Sequence, residues 1–347
     1  MKKTVMNNQV SVISDGENCL ASSPITHHAS LFSDRGVALM MVLWIIVFLS
    51  MLSLNFLRST RWATGGTRNL KEETLAYYQA LSGFNEALQY LASDKDLTVD
   101  FLDEEGNFWI DSETPPVTGK RDTEFGEVEI RITDEDSLIN INFAQQDRLH
   151  LLLQHVGIKE DDIIIIMDSI ADWKDPDKEH HLSGAEDDYY EDLKDPFKAK
   201  NGLFDVPEEL ALVRGMKREY IYGDGKGSSG LHHLITTFGK NAININTVSA
   251  EIMQLLGLND VEIETIMKQR NKAYGGFRFI PHEFSVRGLA AMSTQTFRIE
   301  VTARAKGSPI SSRVTGIVSR EPSTKGPETG NEFRTIYWRE RAETVRT

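Results

Sequence analysis

An uncharged stretch near the N-terminus constrains this chain more than any other feature. It begins at Val37, directly after Gly36, and continues without a charged residue to Leu57, where Arg58 ends it. About 20 apolar residues are enough to cross a bilayer once as a helix. A cleavable secretory signal has a shorter apolar core, and its small residues follow that core. Here the small residue comes first, so a cut after Gly36 would leave the hydrophobic helix on the mature protein.

This order of elements resembles that of type IV prepilins and pseudopilins, whose dedicated peptidase cuts on the cytoplasmic side of the hydrophobic segment. We therefore predict a leader over residues 1–36, cleavage between Gly36 and Val37, and a transmembrane helix over residues 37–60. A plain signal anchor is the alternative. The only cysteine, Cys19, lies in the leader, so the mature chain could form no disulfide. Cysteine usage thus permits an oxidising compartment without requiring one.

Charge and length limit the functions open to the remaining chain. The formal net charge is −14, and a surface of this sign repels nucleic acid and anionic lipid headgroups. About 290 residues follow the apolar stretch, which is enough for one large domain or two ordinary ones.

After the apolar stretch, the pattern predicts a continued helix and then an antiparallel sheet. Apolar residues recur at helical spacing, with a bend expected at the two glycines 65 and 66; these apolar residues are Leu70, Tyr77, Leu81, Phe84, Leu88 and Leu91. Alternating apolar and polar residues predict strands at residues 125–133, 297–303, 311–318 and 333–339. The fold class is therefore α+β, with a long N-terminal helix packed on a sheet in the manner of a pilin.

The strands are far apart in sequence, which indicates an insertion. We predict one pilin-like domain from residues 61–139 and 291–347, interrupted by an all-α domain over residues 140–290. Inside this segment, Ile-Asn-Ile-Asn occurs at residues 139–142 and again at 243–246, each time before two short helices joined by a glycine turn. These repeats resemble helix-hairpin-helix units of DNA-binding proteins. A structural role is favoured, because the first copy leads into acidic residues rather than a phosphate site.

Residues 160–195 contain fourteen Asp and Glu against three Lys. Carboxylates this dense repel one another unless water or a cation neutralises them, and calcium accepts six to eight flexible oxygen ligands. The predicted calcium ligands are Asp172, Asp175, Asp177, Glu186, Asp187 and Asp188. A solvated acidic face is the alternative, and the spacing does not match an EF-hand. Two-metal hydrolysis is disfavoured because no histidine or lysine is in register with the aspartates.

Histidine pairs at residues 180–181 and 232–233 are interpreted as surface side chains. The sequence contains no Ser/His/Asp or Cys/His arrangement that suggests catalysis, so we predict a non-enzymatic assembly protein.

Along nearly its whole length the chain is similar to the minor pseudopilin K family of type II secretion systems, also called general secretion pathway protein K. The residues that carry the resemblance are 35–39, 56–60, 134–142, 172–175, 184–190, 204–210 and 243–247. The resemblance implies a pilin domain with a large calcium-binding helical insertion, anchored once in the inner membrane with its soluble part in the periplasm. It also implies a place at the tip of a short pseudopilus that supports export of folded proteins.

The same resemblance implies the partners of the chain. These are minor pseudopilins I and J, pseudopilin H as a further one, the prepilin peptidase, which also methylates the amine of Val37, and the inner-membrane secretion platform. Most pilins have a glutamate at the fifth mature position, where this chain has Met41. In the family that glutamate pairs with the terminal amine of the subunit above it, so Met41 suits a subunit with none above.

Two other classes of protein remain open at this point. A minor pilin of a type IV pilus or competence system would share the processing site. A membrane-anchored DNA-binding module would use the repeated helix pairs. The acidic balance of the chain argues against binding to DNA in either case.

We expect the mature protein to begin at Val37 with a methylated amine when prepilin peptidase is active. In cells without active peptidase, residues 1–36 should remain attached. Mass spectrometry of the N-terminal peptide from both strains makes the comparison. A leader that persists in both strains, or a cut after the hydrophobic stretch, would instead indicate a signal anchor or a secreted protein.

Overall fold

The computed structural model describes residues 34–223, 225, 229–270, 275–321 and 331–344. The predicted leader therefore lies outside the described residues except for its last three positions. The chain divides into two compact units, residues 1–64 and 65–347.

The first helix, α1, runs from Asp34 to Ala92 and is helical through the two glycines at which we expected a bend. Its apolar residues from Val37 to Leu57 are exposed throughout. This helix is long and apolar enough to cross a membrane. An exposed hydrophobic helix of this kind is costly in water, so it fits a single-pass membrane anchor.

In the second unit, α1 buries small residues together with part of the predicted stripe of large ones, including Phe84 and Leu91. Ala76, Ala80 and Ala87 are fully buried, whereas Leu70 is exposed. The small side chains let the helix approach the sheet closely. A Cβ atom on Gly83 would lie 2.8 Å from Val301 Cγ1, which is closer than van der Waals contact allows.

One five-stranded antiparallel sheet packs against this part of α1. Its strands are β3 (Gly119–Thr123), β4 (Gly126–Asp134), β9 (Thr296–Ala305), β10 (Ile310–Glu321) and β11 (Glu332–Thr344). They lie side by side in the order β11-β10-β9-β4-β3. All four predicted strands are confirmed within a few residues at their ends. Two further strands, β1 (Phe101–Leu102) and β2 (Phe108–Trp109), form a separate antiparallel pair.

The sheet pairs strands that are far apart in sequence. Ile130 on β4 lies opposite Val301 on β9, although residues 135–295 lie between the two strands. Both side chains are buried against α1 in one core, which also contains Phe84, Phe297 and Val314. Every second residue of a strand points to the same face of the sheet, so the alternating apolar residues of these strands all lie on the side of this core.

The segment between β4 and β9 has its own hydrophobic core. Its helices are α2 (Gln146–His155), α3 (Glu160–Lys174), α4 (Asp187–Glu191), α5 (Arg218–Tyr222), α6 (Ala250–Leu255), α7 (Asp260–Gln269) and α8 (His282–Ser285). Short 3-10 turns occupy residues 135–137, 207–212 and 231–233.

The prediction that this segment is all-α is wrong in one respect. It contains two short parallel strand pairs, β5 (Ile139–Asn140) with β6 (Ile235–Thr236), and β7 (Ile243–Asn244) with β8 (Leu289–Ala291). Strands of two or three residues carry almost no alternation signal in a sequence. Their partners lie about 50 to 100 residues away, so no local pattern indicates the pairing.

The two Ile-Asn-Ile-Asn copies make the same contacts. In the first copy, Asn142 accepts a hydrogen bond from Phe204 N at 2.8 Å and donates one to Phe204 O at 3.0 Å. In the second, Asn246 makes the same pair of bonds with Phe277, at 2.7 and 3.0 Å. The preceding asparagine, Asn140 or Asn244, accepts from the backbone N–H two residues on, at 3.0 Å in both copies. The sequence repeat is therefore a structural repeat.

A buried polar seam lies where the sheet meets the segment between β4 and β9. Arg320, at the end of β10, contacts Asp94 at 2.9 Å and Asp100 at 3.5 Å, and all three side chains are at most 4% exposed. Nearby, Asp134 accepts hydrogen bonds from Asn244 Nδ2 at 2.9 Å and Thr247 Oγ1 at 2.6 Å. One guanidinium thus serves two buried carboxylates, which leaves negative charge to be accommodated.

That excess is reflected in a raised carboxyl pKa. Burial raises the pKa of Asp100 to about 8, against the lowering effects of Arg320 and of the Thr294 N–H. An unfolded Asp ionises near pH 4. Between about pH 4 and pH 8 the folded chain therefore holds a proton that the unfolded chain has lost, so stability falls as pH rises through this window.

We expect Asp100→Asn to flatten this pH dependence, because the amide cannot ionise. In full-length protein in detergent, the wild-type free energy of unfolding should fall by up to about 1.4 kcal/mol per pH unit from this group. Thermal unfolding followed by circular dichroism at pH 5 to 8 measures the trend. The exposed Asp122→Asn on β3 is the control and should keep the wild-type slope. An unchanged slope in Asp100→Asn would show that Asp100 is ionised in the folded protein.

Candidate metal centre

The predicted acidic ligands lie at the end of α3 and in the loop that follows it. The buried face of α3 includes Ile163, Ile166 and Ile170, one helical turn apart, and continues to Trp173. Asp172 falls beside this face, and its side chain is 0% exposed. A carboxylate placed there is removed from water and requires a partner.

The loop folds back so that further carboxylates converge on Asp172. Ligand atoms of Asp172, Asp175 and His181 lie within 4.8 Å of one another, as do those of Asp175, Asp177 and Glu186. Asp175 belongs to both groups, so the five residues form one continuous cluster, which we call the acid cluster.

Several oxygens of the acid cluster have no partner in the part of the chain that the structure describes. These buried atoms are Asp172 Oδ2, Asp175 Oδ1 and both carboxylate oxygens of Glu186. Buried polar atoms without a hydrogen bond are rare, because each costs about 1 to 3 kcal/mol and a charged one costs more. Four convergent carboxylate oxygens of this kind match the donor set of a hard cation such as calcium.

Raised carboxyl pKa values within the acid cluster also indicate a cation site. Burial, and then the charges of Asp172 and Asp175, raise the pKa of Glu186. Burial also raises the pKa of Asp175, with Asp177 and Asp172 adding to it. Bound cations reverse such shifts, because they stabilise the ionised carboxylates.

His181 is part of the cluster, although the sequence suggested only a surface histidine. Its Nδ1 atom contacts Asp172 Oδ1, and its backbone N–H donates to the same oxygen at 3.1 Å. The hydrogen bond to Asp172 raises the pKa of His181. His181 thus takes one oxygen of Asp172 and leaves the other unpartnered. Its role depends on the loop turning back, which a sequence pattern does not reveal.

Gly184 lets the loop pass directly over Asp172. A Cβ atom at Gly184 would overlap the Asp172 carboxylate. The Gly184 carbonyl accepts a hydrogen bond from Arg214 Nη1 at 2.7 Å, which holds this part of the loop in place. Only glycine therefore fits over the carboxylate here.

Asp187 and Asp188, also predicted as ligands, have other partners. Asp187 accepts from the Ala199 N–H at 3.1 Å and faces Lys178 at 3.4 Å. Asp188 lies 3.0 Å from His180 at the surface. Of the six predicted ligands, the structure brings Asp172, Asp175, Asp177 and Glu186 together and leaves these two outside the acid cluster.

The predicted processing residues lie at the start of α1. Gly36 and Val37 are both within the helix, and Val37 and Met41 are exposed in its apolar part.

The two repeated helix pairs differ from a phosphate-binding site in their charge. Gly157 joins α2 to α3, Gly257 joins α6 to α7, and both glycines have φ near +80°. The first turn of α3 contains Glu160, Asp161 and Asp162, and that of α7 contains Asp260 and Glu262. Carboxylates here compete with a phosphate for the helix N-terminus.

Comparisons with known proteins agree with this architecture. A family model described as type II secretion system (T2SS), protein K matches residues 109–222. The chain is 24% identical to the type II secretion system protein K of Pseudomonas aeruginosa over 255 residues, which cover 69% of this chain and 73% of that protein.

A solved structure has a similar fold. The chain resembles one from the crystal structure of the GspK-GspI-GspJ complex of the enterotoxigenic Escherichia coli type 2 secretion system, with a TM-score of 0.55 and 17% identity. The similarity covers 79% of this chain and 99% of that one. The family model and the curated relative are both of type II secretion system protein K, to which the chain is similar, and the solved structure shows a similar fold.

Proposed function

We propose that the chain is a non-enzymatic minor pseudopilin of a type II protein secretion system. The observation that carries the proposal concerns α1. Its apolar residues from Val37 to Leu57 are exposed, and from Ala76 onwards the helix packs on a pilin-like sheet. Similarity to type II secretion system protein K supports it. In this role residues 1–36 are a cytoplasmic leader, the peptidase cuts before Val37 and methylates it, and the inner membrane holds residues 37–60.

The domain organisation follows the same proposal. Residues 61–139 and 291–347 form the pilin-like domain, which lies in the periplasm, and residues 140–290 form its insertion. The separate hydrophobic core of residues 139–289 supports this division. Within the insertion, the repeated helix pairs act as a helix-hairpin-helix-like scaffold. Their acidic first turns support a structural role over binding to nucleic acid.

We place the subunit at the tip of the pseudopilus. Met41 offers no carboxylate to the amine of a subunit above it, and an unpaired charge in lipid would be costly. The large insertion supports this position, because it would block further addition of subunits. In assembly, minor pseudopilins I and J, with H as a further partner, would pack their helices against α1, whose exposed apolar residues extend to Tyr78. The related complex of GspK with GspI and GspJ supports this choice of partners.

Deletion of the gene should leave secreted enzymes trapped in the periplasm, and the wild-type gene should restore their export. Gly36→Val should fail to restore it, because the peptidase site is lost while the apolar helix remains. Ser50→Ala is the matched control within α1, since Ser50 Oγ bonds only to the Ile46 carbonyl of the same helix among the described residues, at 2.7 Å. Assays of enzyme activity in medium and periplasm measure the effect.

Two results would contradict the assignment. Normal export in the deletion strain would exclude an essential role in type II secretion. Loss of surface pili or of DNA uptake, with export intact, would favour the minor pilin of a type IV pilus or competence system.

We also propose that the acid cluster holds calcium in a structural role. Asp172, Asp175, Asp177 and Glu186 would supply carboxylate oxygens, and the cation would neutralise charge that the fold otherwise buries unpaired. In this structural role, calcium needs only to neutralise the carboxylates of the acid cluster.

Adding 2 mM calcium to metal-free, full-length protein in detergent should raise its melting temperature by several degrees, because a ligand that binds only the folded state stabilises it. Asp175→Asn and Glu186→Gln should largely abolish the shift. Asp188→Asn, an acid next to the cluster that pairs with His180 instead, should keep it. Differential scanning fluorimetry records all four proteins. The absence of a shift in the wild type at millimolar calcium would refute the calcium site.

A further inference from the structure

A cleft lies on the face of the sheet opposite α1. One face of β9, β10 and β11 packs on α1 through residues such as Val301 and Val314, and the alternate residues line the cleft. The other wall comes from the segment between β4 and β9 and includes Pro207, Tyr222 and Phe238. The cavity volume is about 170 Å³.

Four arginines line this cleft, in a protein whose net charge is −14. Arg313 on β10 lies directly opposite Arg341 on β11, and Arg339 is opposite Thr315 in the next row of the same face. Like charges placed opposite each other destabilise a sheet. The fourth arginine, Arg298, comes from β9.

Among the described residues, only one of these arginines has a close ion pair. Arg298 contacts the buried carboxylate of Glu135. The other pairs are long, with Arg339 at 3.5 Å from Glu208, Arg341 at 3.5 Å from Glu343, and Arg313 at 3.9 Å from that same Glu343.

A guanidinium has five N–H donors, so these long contacts do not saturate it, even with the further bond from Arg313 Nε to Thr302 Oγ1 at 3.2 Å. The side chains of Arg313, Arg339 and Arg341 are 44 to 63% exposed. They are therefore accessible to a second carboxylate, which an arginine fork binds through two parallel hydrogen bonds.

We propose that this cleft binds an extended peptide of another protein that presents two carboxylates at alternate positions. Arg339 and Arg341 are two residues apart on one strand, about 6.6 to 6.8 Å at 3.3 to 3.4 Å per residue. Carboxylates at positions i and i+2 of an extended peptide have the same spacing. Tyr337, in the adjoining row, offers a half-buried aromatic ring to a neighbouring side chain.

The lining favours a peptide over other anions. Glu208 and Glu300 also face the cleft, and their charges would repel a dense polyanion such as nucleic acid or polyphosphate. The cavity is also smaller than the roughly 300 to 1,000 Å³ of sites that enclose a small molecule, which suits one or two side chains of a longer partner. This surface is separate from the apolar helix and the acid cluster, so the inference does not depend on the proposed function.

The test uses a fluorescein-labelled peptide, Gly-Glu-Val-Glu-Gly, with Gly-Gln-Val-Gln-Gly and Gly-Glu-Glu-Val-Gly as controls for charge and spacing. Fluorescence anisotropy with full-length protein in detergent measures binding. We expect the first peptide to bind most tightly, and the double variant Arg339→Gln/Arg341→Gln to lose about tenfold in affinity, since charge-assisted hydrogen bonds are removed.

Arg334→Gln is the matched control. Arg334 is an exposed arginine on the same strand that pairs with Glu321 and does not line the cleft, so its variant should bind as the wild type does. The proposal is overturned if the Glu peptide does not bind at millimolar protein, if the Gln peptide binds equally well, or if Arg334→Gln weakens binding as much as the double variant. Displacement of the Glu peptide by equimolar inorganic phosphate would likewise overturn it, in favour of a small-anion site.

Discussion

The buried contact of Arg320 with Asp94 and Asp100 determines how the rest of the second unit is assembled. Asp94 follows the end of α1, Asp100 precedes β1, and Arg320 ends β10, where its guanidinium also lies 5.0 Å from the Phe297 ring. Because the buried Arg320 guanidinium would be costly without a carboxyl group beside it, its contacts favour the arrangement in which these segments meet. The C-terminal end of α1 and the C-terminal end of β10 are thereby held together.

The same seam positions the segment that separates β4 from β9. Asp134 ends β4 and accepts bonds from Asn244 and Thr247 of the second repeat, while Asp136 accepts from the Gln295 and Thr296 N–H groups. Asp94 Oδ2 and Asp100 Oδ1 have no hydrogen bond but face the Arg320 guanidinium, whereas Asp136 Oδ1 has no hydrogen-bond partner among the described residues. The acid cluster differs, since no described arginine or lysine forms an ion pair with its carboxylates, although buried oxygens of Asp172, Asp175 and Glu186 lack a hydrogen bond. We therefore propose a cation at the acid cluster and not at the buried polar seam.

Sequence patterns predicted those features that depend on local spacing. The apolar helix, the alternating strands and the repeated Ile-Asn-Ile-Asn are each contained in a short window, and the structure has all three. Strand β3 was missed because its residues, Gly119–Thr123, are polar and lack apolar alternation. The alanine stripe of α1 was missed because small residues give a weak hydrophobic signal, although they decide how closely a helix approaches a sheet.

Within the acid cluster, composition alone indicated the carboxylates, but not which of them converge. Asp187 and Asp188 are next to Glu186 in sequence, yet the start of α4 turns them towards Ala199 and His180. His181 joins the cluster because the loop reverses over Gly184. Such choices depend on the path of a loop, which follows from packing with distant residues rather than from the local sequence.

The matching bonds of Asn142 and Asn246 have an evolutionary consequence. Two copies that share such specific backbone contacts are most simply explained by duplication of one ancestral unit. After the second helix, the first copy takes residues 175–234 to reach its partner strand, whereas the second takes residues 270–288. Apart from Asp172, at the end of α3, the acid cluster lies in the longer connection. One copy of the unit is thus compact, whereas the other has a longer connection that supplies most of the acid cluster.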